Sequence, residues 1–239
     1  MSSTLITSIS SIARSTHGSR CAGESAAIIA CCRLNPAHLQ FSVQPLNIPL
    51  LSSLNASSQF SVVTGKRQIP LFECLPEESD VSAVIEELAH RGIKSIFGLG
   101  YAKSLTTLIP VGQIVLAECA VGVEQSSCRF SYPGHDLLHN FRTTAAARCV
   151  SIRRAKVVAV NSDDPDYARK TIASKSVGAE VVFPQAMKFY SAGRVNGVSA
   201  VLACVMSREI DEDNQSPISK SMTELQSLLL TMIAEPQRL

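Results

Sequence analysis

Two polar clusters in this chain directly follow apolar runs. Asn161-Ser162-Asp163-Asp164 comes after Val157–Val160, and Ser207-Arg208-Glu209 comes after Val198–Met206. Amides, hydroxyls and carboxylates at the carboxyl ends of buried strands are placed to hold a ligand just beyond a sheet. Asn161, Ser162 and Asp163 are also common in Asx turns, and both readings stand. Arg208 offers a guanidinium to a carboxylate or phosphate, or pairs on the surface with Glu209 or Asp211. Gln185 opens a helical segment, where its amide either meets a sugar hydroxyl or is an ordinary first-turn group. Tyr101 and Lys103 follow Gly98-Leu99-Gly100, and Tyr101 either lines a pocket or caps the sheet. His135 and His139 lie one helical turn apart, as metal ligands do. Without a third ligand they read as solvent-facing or core histidines, and no metal is expected. Gly98-x-Gly100 lacks the third glycine and downstream acid of a dinucleotide loop, so no nicotinamide cofactor is expected either.

The elements that would position these groups follow from apolar patterning. Ala26–Cys32 reads as a buried first strand. Gln59–Thr64 and Gln68–Cys74 flank the turn-like Gly65-Lys66-Arg67 and predict a hairpin. Asp80 caps a helix with Val81, Val84, Ile85 and Leu88 on one face, ended by Gly92. Ile93–Phe97 predicts a strand that opens into a glycine loop, Val111–Ala120 another, and residues 134–149 a helix. Val157–Val160 and Ala179–Val182 are further strands, followed by a helix over Gln185–Val195 and the strand Val198–Met206. Glu209–Asp213 reads as a solvated loop. Ser221 and Glu224, spaced as a capping box, start a last helix whose stripe is Met222, Leu225, Leu228, Leu229 and Met232. Strands alternating with helices predict an α/β three-layer sandwich around a central, largely parallel mixed sheet. A single domain over 1–239 is expected, and the ends at Phe97, Val160 and Met206 should open onto one hollow.

Composition narrows the partners. The chain has 239 residues, 46% of them hydrophobic and 18% charged, enough to bury a sizeable core. A formal net charge of +2 gives no clustered basic charge for nucleic acid or an anionic membrane. No apolar run reaches the roughly 18–20 residues of a membrane span. The eight cysteines lack metal-site spacing, and several lie in apolar runs. Reduced thiols, and so a cytoplasmic protein, are expected. Residues 1–22 are rich in Ser and Thr with no acid, like a transit peptide or a flexible terminus.

The segment Arg91–Tyr132 resembles the nucleoside phosphorylase and nucleosidase superfamily. Its strand, Gly98-Leu99-Gly100 and Pro110-Val111-Gly112-Gln113 are similar to the family's G-[ST]-x-G turn and V-G-D strand. Ser126–Tyr132 resembles the loop that follows in uridine phosphorylase-like members, and Val157–Glu209 resembles the family's second half. The likeness spans roughly residues 26–235 and implies a homo-oligomer acting on a nucleoside-like small molecule. Carried over position by position, it implies substrate contacts at Gly100, Tyr101, Lys103, Asn161, Ser162, Gln185, Met187 and Ser207. It implies a phosphate loop at Leu34–His38, with His38 as its candidate ligand, and Arg208 and Glu209 at the place of the acid. Several of these residues depart from the pattern. The family's Met-Glu pair falls on Pro184-Gln185, its Ser-Asp pair on Ser207-Arg208, and its phosphate arginine on Gly98.

Those departures bear on the chemistry. Breaking an N-ribosidic bond puts positive charge on the ribose and negative charge on the leaving base, so a carboxylate and a positioned acid both help. Losing one charge-assisted hydrogen bond costs about 1.5–3 kcal/mol, and losing a positioned acid costs roughly 10²–10⁴ in rate. The resemblance therefore implies cleavage without phosphate, or altered chemistry in the same pocket, rather than ordinary phosphorolysis. The alternatives are a catalytically silent relative that binds a ligand or a partner, or an unrelated activity in specialised metabolism recruited into the old pocket.

Overall fold

The computed structural model describes residues 26–34, 43–45, 58–64, 67–75, 80–125, 127–208 and 216–234. The expected turn glycine Gly65, His38, Glu209 and the segment 1–22 lie outside the described residues. One sheet carries ten strands: β1 (Ala26–Ala30), β2 (Val43–Pro45), β3 (Ser58–Thr64), β4 (Arg67–Glu73), β5 (Ser95–Ser104), β6 (Ile114–Glu124), β7 (Ser127–Ser131), β8 (Ile152–Val158), β9 (Ala179–Val182) and β10 (Ser199–Met206). The helices are α1 (Val81–His90), α2 (His135–Ala147), α3 (Tyr167–Ser176), α4 (Ala186–Val195) and α5 (Ser216–Ala234).

β4, β1, β5 and β10 run parallel in that spatial order, as do β6, β8 and β9. Antiparallel pairings join the two groups. β10 pairs β6 through Ala203↔Leu116, and β9 returns to β5 through Val182↔Lys103. Five strands thereby close into a ring, while β1, β4, β3 and β2 extend outward from β5. Alternation along β5 sorts the two faces. Ile96 and Ala102 pack with α1 and α4, whereas Phe97, Leu99 and Tyr101 pack with α2 and α5. The expected α/β sandwich is the observed one.

Tyr190 of α4 fixes how that helix sits. The β6–β10 ladder stops at Ala203↔Leu116, and the Tyr190 hydroxyl takes the next place. It donates to the Ala117 carbonyl at 2.6 Å and accepts from the Leu202 N–H at 3.1 Å. Two backbone groups that the splayed strands would strand are thus satisfied. Burial pushes the Tyr190 hydroxyl far up from its ordinary value, keeping it a neutral donor.

The structure moves several expected boundaries. β5 does not end at Phe97 but runs on through both glycines to Ser104. A Cβ at Gly98 would lie 2.7 Å from Leu202 Cδ1 and Phe189 Cζ, and one at Gly100 would lie 2.9 Å from Phe183 Cε2. The glycines are there because neighbours approach the strand, not because it turns. Ser127–Ser131 is a strand on β6, where a loop was expected. α5 starts at Ser216, not Ser221, with Pro217 in its first turn, where a missing N–H removes no hydrogen bond. The Asp80 cap holds, its carboxylate accepting from the Ser82 N–H at 3.2 Å.

The cysteines among the described residues are free thiols. No helix among those residues is long and apolar enough to cross a membrane. None of their His, Cys, Asp or Glu side chains group as metal ligands would, and His135 and His139 are solvent-exposed.

Candidate functional site

Beyond β8 the chain leaves the sheet through Ala159 and Val160 and turns over Asn161–Asp164, closed by the Asp164 N–H on the Asn161 carbonyl at 3.2 Å. β9 ends in Phe183, whose N–H bonds the Val158 carbonyl at 3.0 Å. Pro184 then breaks the strand, and Gln185 becomes the N-cap residue of α4. These local events leave a cavity of about 200 Å³. Ala159, Val160, Asn161 and Asp164 form one side, Pro184, Gln185 and Lys188 the other, and Val81 at the start of α1 closes it.

Gln185 gives the cavity its chemistry. The side chain is buried, with 5% exposed. Its Nε2 donates to the Cys74 carbonyl at 3.2 Å. A carbonyl can only accept, so the amide's orientation is fixed. Among the described residues Oε1 is left buried without a hydrogen-bond partner. An orphaned buried acceptor costs roughly 1–3 kcal/mol unless something donates to it. Gln185 therefore carries one acceptor that no described group satisfies.

The charged groups around it are mostly engaged. Lys170 donates to the Asp164 carboxylate and is the main cause that holds Asp164 below its ordinary value, with the Asp166 N–H helping. Asp164 is thus an ionised wall group rather than a proton donor. Lys188 Nζ lies 3.7 Å from Asp80 Oδ1, both side chains being largely exposed. Asn161 is exposed at the rim, and its carboxamide can both donate and accept.

Of the described residues expected at a site, the structure brings Asn161 and Gln185 together and places the others elsewhere. Ser162 is exposed just past the wall. Gly100 lies under the Phe183 ring, and Met187 packs against Gly122 of β6. Tyr101 is buried on the opposite face of the sheet, with the side chains of α5. Lys103 is half-buried where β5 meets β9. Ser207 is buried, its N–H bonded to the Ala102 carbonyl at 2.9 Å, and Arg208 is exposed. Neither residue lines the cavity. Among the described residues, those that follow Phe97 and Met206 do not line the cavity beyond Val160. Lys188 and Asp164 were not among the expected contacts. Lys188 follows Gln185 by three positions, which puts both on one side of a helix's first turn.

The opposite arrangement holds under Phe183. Cys31, Cys74, Cys204 and Met206 are buried with it in one apolar core. Burial pushes the Cys74 and Cys204 thiols to about 12 and raises Cys31 as well. Such thiols are packing groups, not nucleophiles.

No family model matches the sequence, and no curated protein matches it. Solved structures do. Purine nucleoside phosphorylase from Toxoplasma gondii in complex with immucillin-H superposes with a TM-score of 0.70 at 15% identity, covering 89% of this chain and 91% of that one. Futalosine hydrolase of Helicobacter pylori gives 0.68 at 14% identity, with 89% and 98% covered. The 5'-methylthioadenosine/S-adenosyl homocysteine nucleosidase of Campylobacter jejuni gives 0.68 at 12% identity, with 90% and 100% covered.

Proposed function

Since the chain has the fold of the nucleoside phosphorylase and nucleosidase superfamily, we propose that it binds a nucleoside or related small molecule beyond β8 and cleaves its N-ribosidic bond or carries out altered chemistry there. One observation carries this reading: Gln185, which lines the cavity and whose buried Oε1 has no partner among the described residues, stands at the position where the resemblance implies a sugar-binding side chain. A ribose hydroxyl would satisfy it, and the Asn161 carboxamide would take a second polar edge. Ordinary phosphorolysis does not suit these walls. The family's phosphate arginine falls on Gly98, and no described arginine lines the cavity. A single-domain homo-oligomer in the cytoplasm belongs to the same proposal.

The second reading, a silent relative that binds without turnover, is favoured by Phe183 filling the space over Gly100. Incubation with uridine, inosine and methylthioadenosine, with and without phosphate, separates the two. Free base released without phosphate supports cleavage. Calorimetric binding without release supports the silent relative. If none of the three nucleosides binds, the proposal fails.

A further inference from the structure

The far end of α4 from the cavity carries a reactive pair. Asn196-Gly197 follows the helix and leads into β10. When glycine follows asparagine, no Cβ shields the side-chain amide from the next backbone nitrogen, and asparagine amides are labile groups. Gly197 is exposed, its φ is +65°, and a Cβ there would meet nothing within 4 Å. The glycine side of the Asn196 carboxamide is therefore open.

The fold holds the pair in an unreactive shape. Asn196 is the C-cap residue of α4, with ψ 8°. Closing a succinimide ring between Gly197 N and Asn196 Cγ requires the peptide to turn away from that ψ. The Asn196 Nδ2 donates to the Ala192 carbonyl at 2.9 Å, and the Asn196 N–H donates to the same carbonyl at 3.0 Å. The Gly197 N–H reaches the Arg194 carbonyl only at 3.4 Å. The attacking nitrogen is thus the loosest group of the turn, and helix ends are where fraying begins.

We propose that Asn196-Gly197 is a site of spontaneous deamidation whose rate is set by fraying of the α4 C-terminus. Gly197 N gives its proton to solvent and bonds to Asn196 Cγ, and the Cγ–Nδ2 bond breaks to release ammonia. Water then opens the succinimide at either carbonyl, leaving aspartate or isoaspartate at position 196. Either product weakens the cap. A carboxylate cannot donate to the Ala192 carbonyl, and its charge meets the negative end of the helix dipole. Isoaspartate also adds a methylene to the main chain where helix and strand leave little slack: a Cβ at Gly193 would lie 3.0 Å from Ala200 Cβ.

Peptide mapping by mass spectrometry tests this on the full chain, folded and in urea, at mildly alkaline pH. Among the described asparagines Asn196 should convert first, ahead of Asn161 before Ser162 and Asn140 before Phe141. The folded protein should convert at least about tenfold more slowly than the unfolded chain, because the helix end must open before the ring closes. Gly197→Ala should slow conversion in urea, where strain at φ plays no part. Asn196→Asp, which copies one product, should lower the thermal midpoint by about 2–4 °C. Conversion at Asn140 or Asn161 ahead of Asn196, or an Asn196 that resists prolonged incubation of the folded protein, overturns the assignment. Equal rates in the folded and unfolded chains overturn the control by α4. An unshifted midpoint overturns the damage to the cap.

Discussion

Two regions of this molecule carry a sequence pattern that invites a ligand, and one of them holds a cavity. Over Gly98 and Gly100 the sheet carries no side chains on one face, and Phe183, Phe189 and Leu202 have packed down onto the bare backbone. Beyond Val160 the chain turns through polar residues, Pro184 stops β9 short, and a cavity lined in part by Gln185 remains. Glycines in a strand and a polar turn after one both invite a ligand reading. What separates them is the bulk of the nearest apolar side chain, a property of residues far away in sequence.

The first way to break this contrast is to empty the filled region. Phe183→Ala should cost about 3–5 kcal/mol in urea unfolding, since it leaves a cavity in a tight core. A loss below about 1 kcal/mol would mean the region was never well packed. Overfilling it is the next largest effect. Gly98→Ala sets a methyl group 2.7 Å from two ring and branch carbons and should cost about 1–3 kcal/mol, by the same measurement.

The thiols beneath Phe183 sharpen the contrast through pH. Cys74 and Cys204 titrate near 12 when folded, against an ordinary 9.0. Both raised values belong to acids kept neutral, so the stability they contribute is fully present below pH 9 and is lost as pH rises toward 12. Urea unfolding under reductant should hold level from pH 7 to 8.5 and then decline by about 1.4 kcal/mol per pH unit for each thiol. Cys204→Ala should flatten the decline, and an unchanged slope would place these thiols in contact with water.

The smallest stability effect belongs to the open region. Gln185→Leu loses a bond to the Cys74 carbonyl but also removes a stranded acceptor, so unfolding should change by less than about 1 kcal/mol. Ligand affinity should fall at least tenfold. A large loss of stability would make Gln185 a structural residue instead.

Much of the fold was legible in the sequence, because the periodicity that marks β9, α1 or the buried stripe of α5 is local. The asparagine at the cavity rim was legible for the same reason: it ends an apolar run, and the turn that follows it is local. The face of Tyr101 was not. It depends on β5 continuing past Gly100, and a glycine packed under an aromatic ring looks like a turn when the ring is Phe183, eighty-odd residues downstream. The opposite error occurred at Ser207, whose place after an apolar run suggested a ligand contact, while its N–H is taken by the neighbouring strand at Ala102. Lys188 carried a usable signal in its spacing from Gln185, but that spacing matters only once α4 is known to present its start to a cavity.

The account's central claim is that Gln185 Oε1 receives the ligand. A crystal of the protein soaked with inosine tests it directly. The predicted result is unbiased difference density in the cavity beyond Val160, with a ligand hydroxyl within about 3 Å of Gln185 Oε1. Density lying only elsewhere, with the cavity beside Gln185 empty, would contradict it.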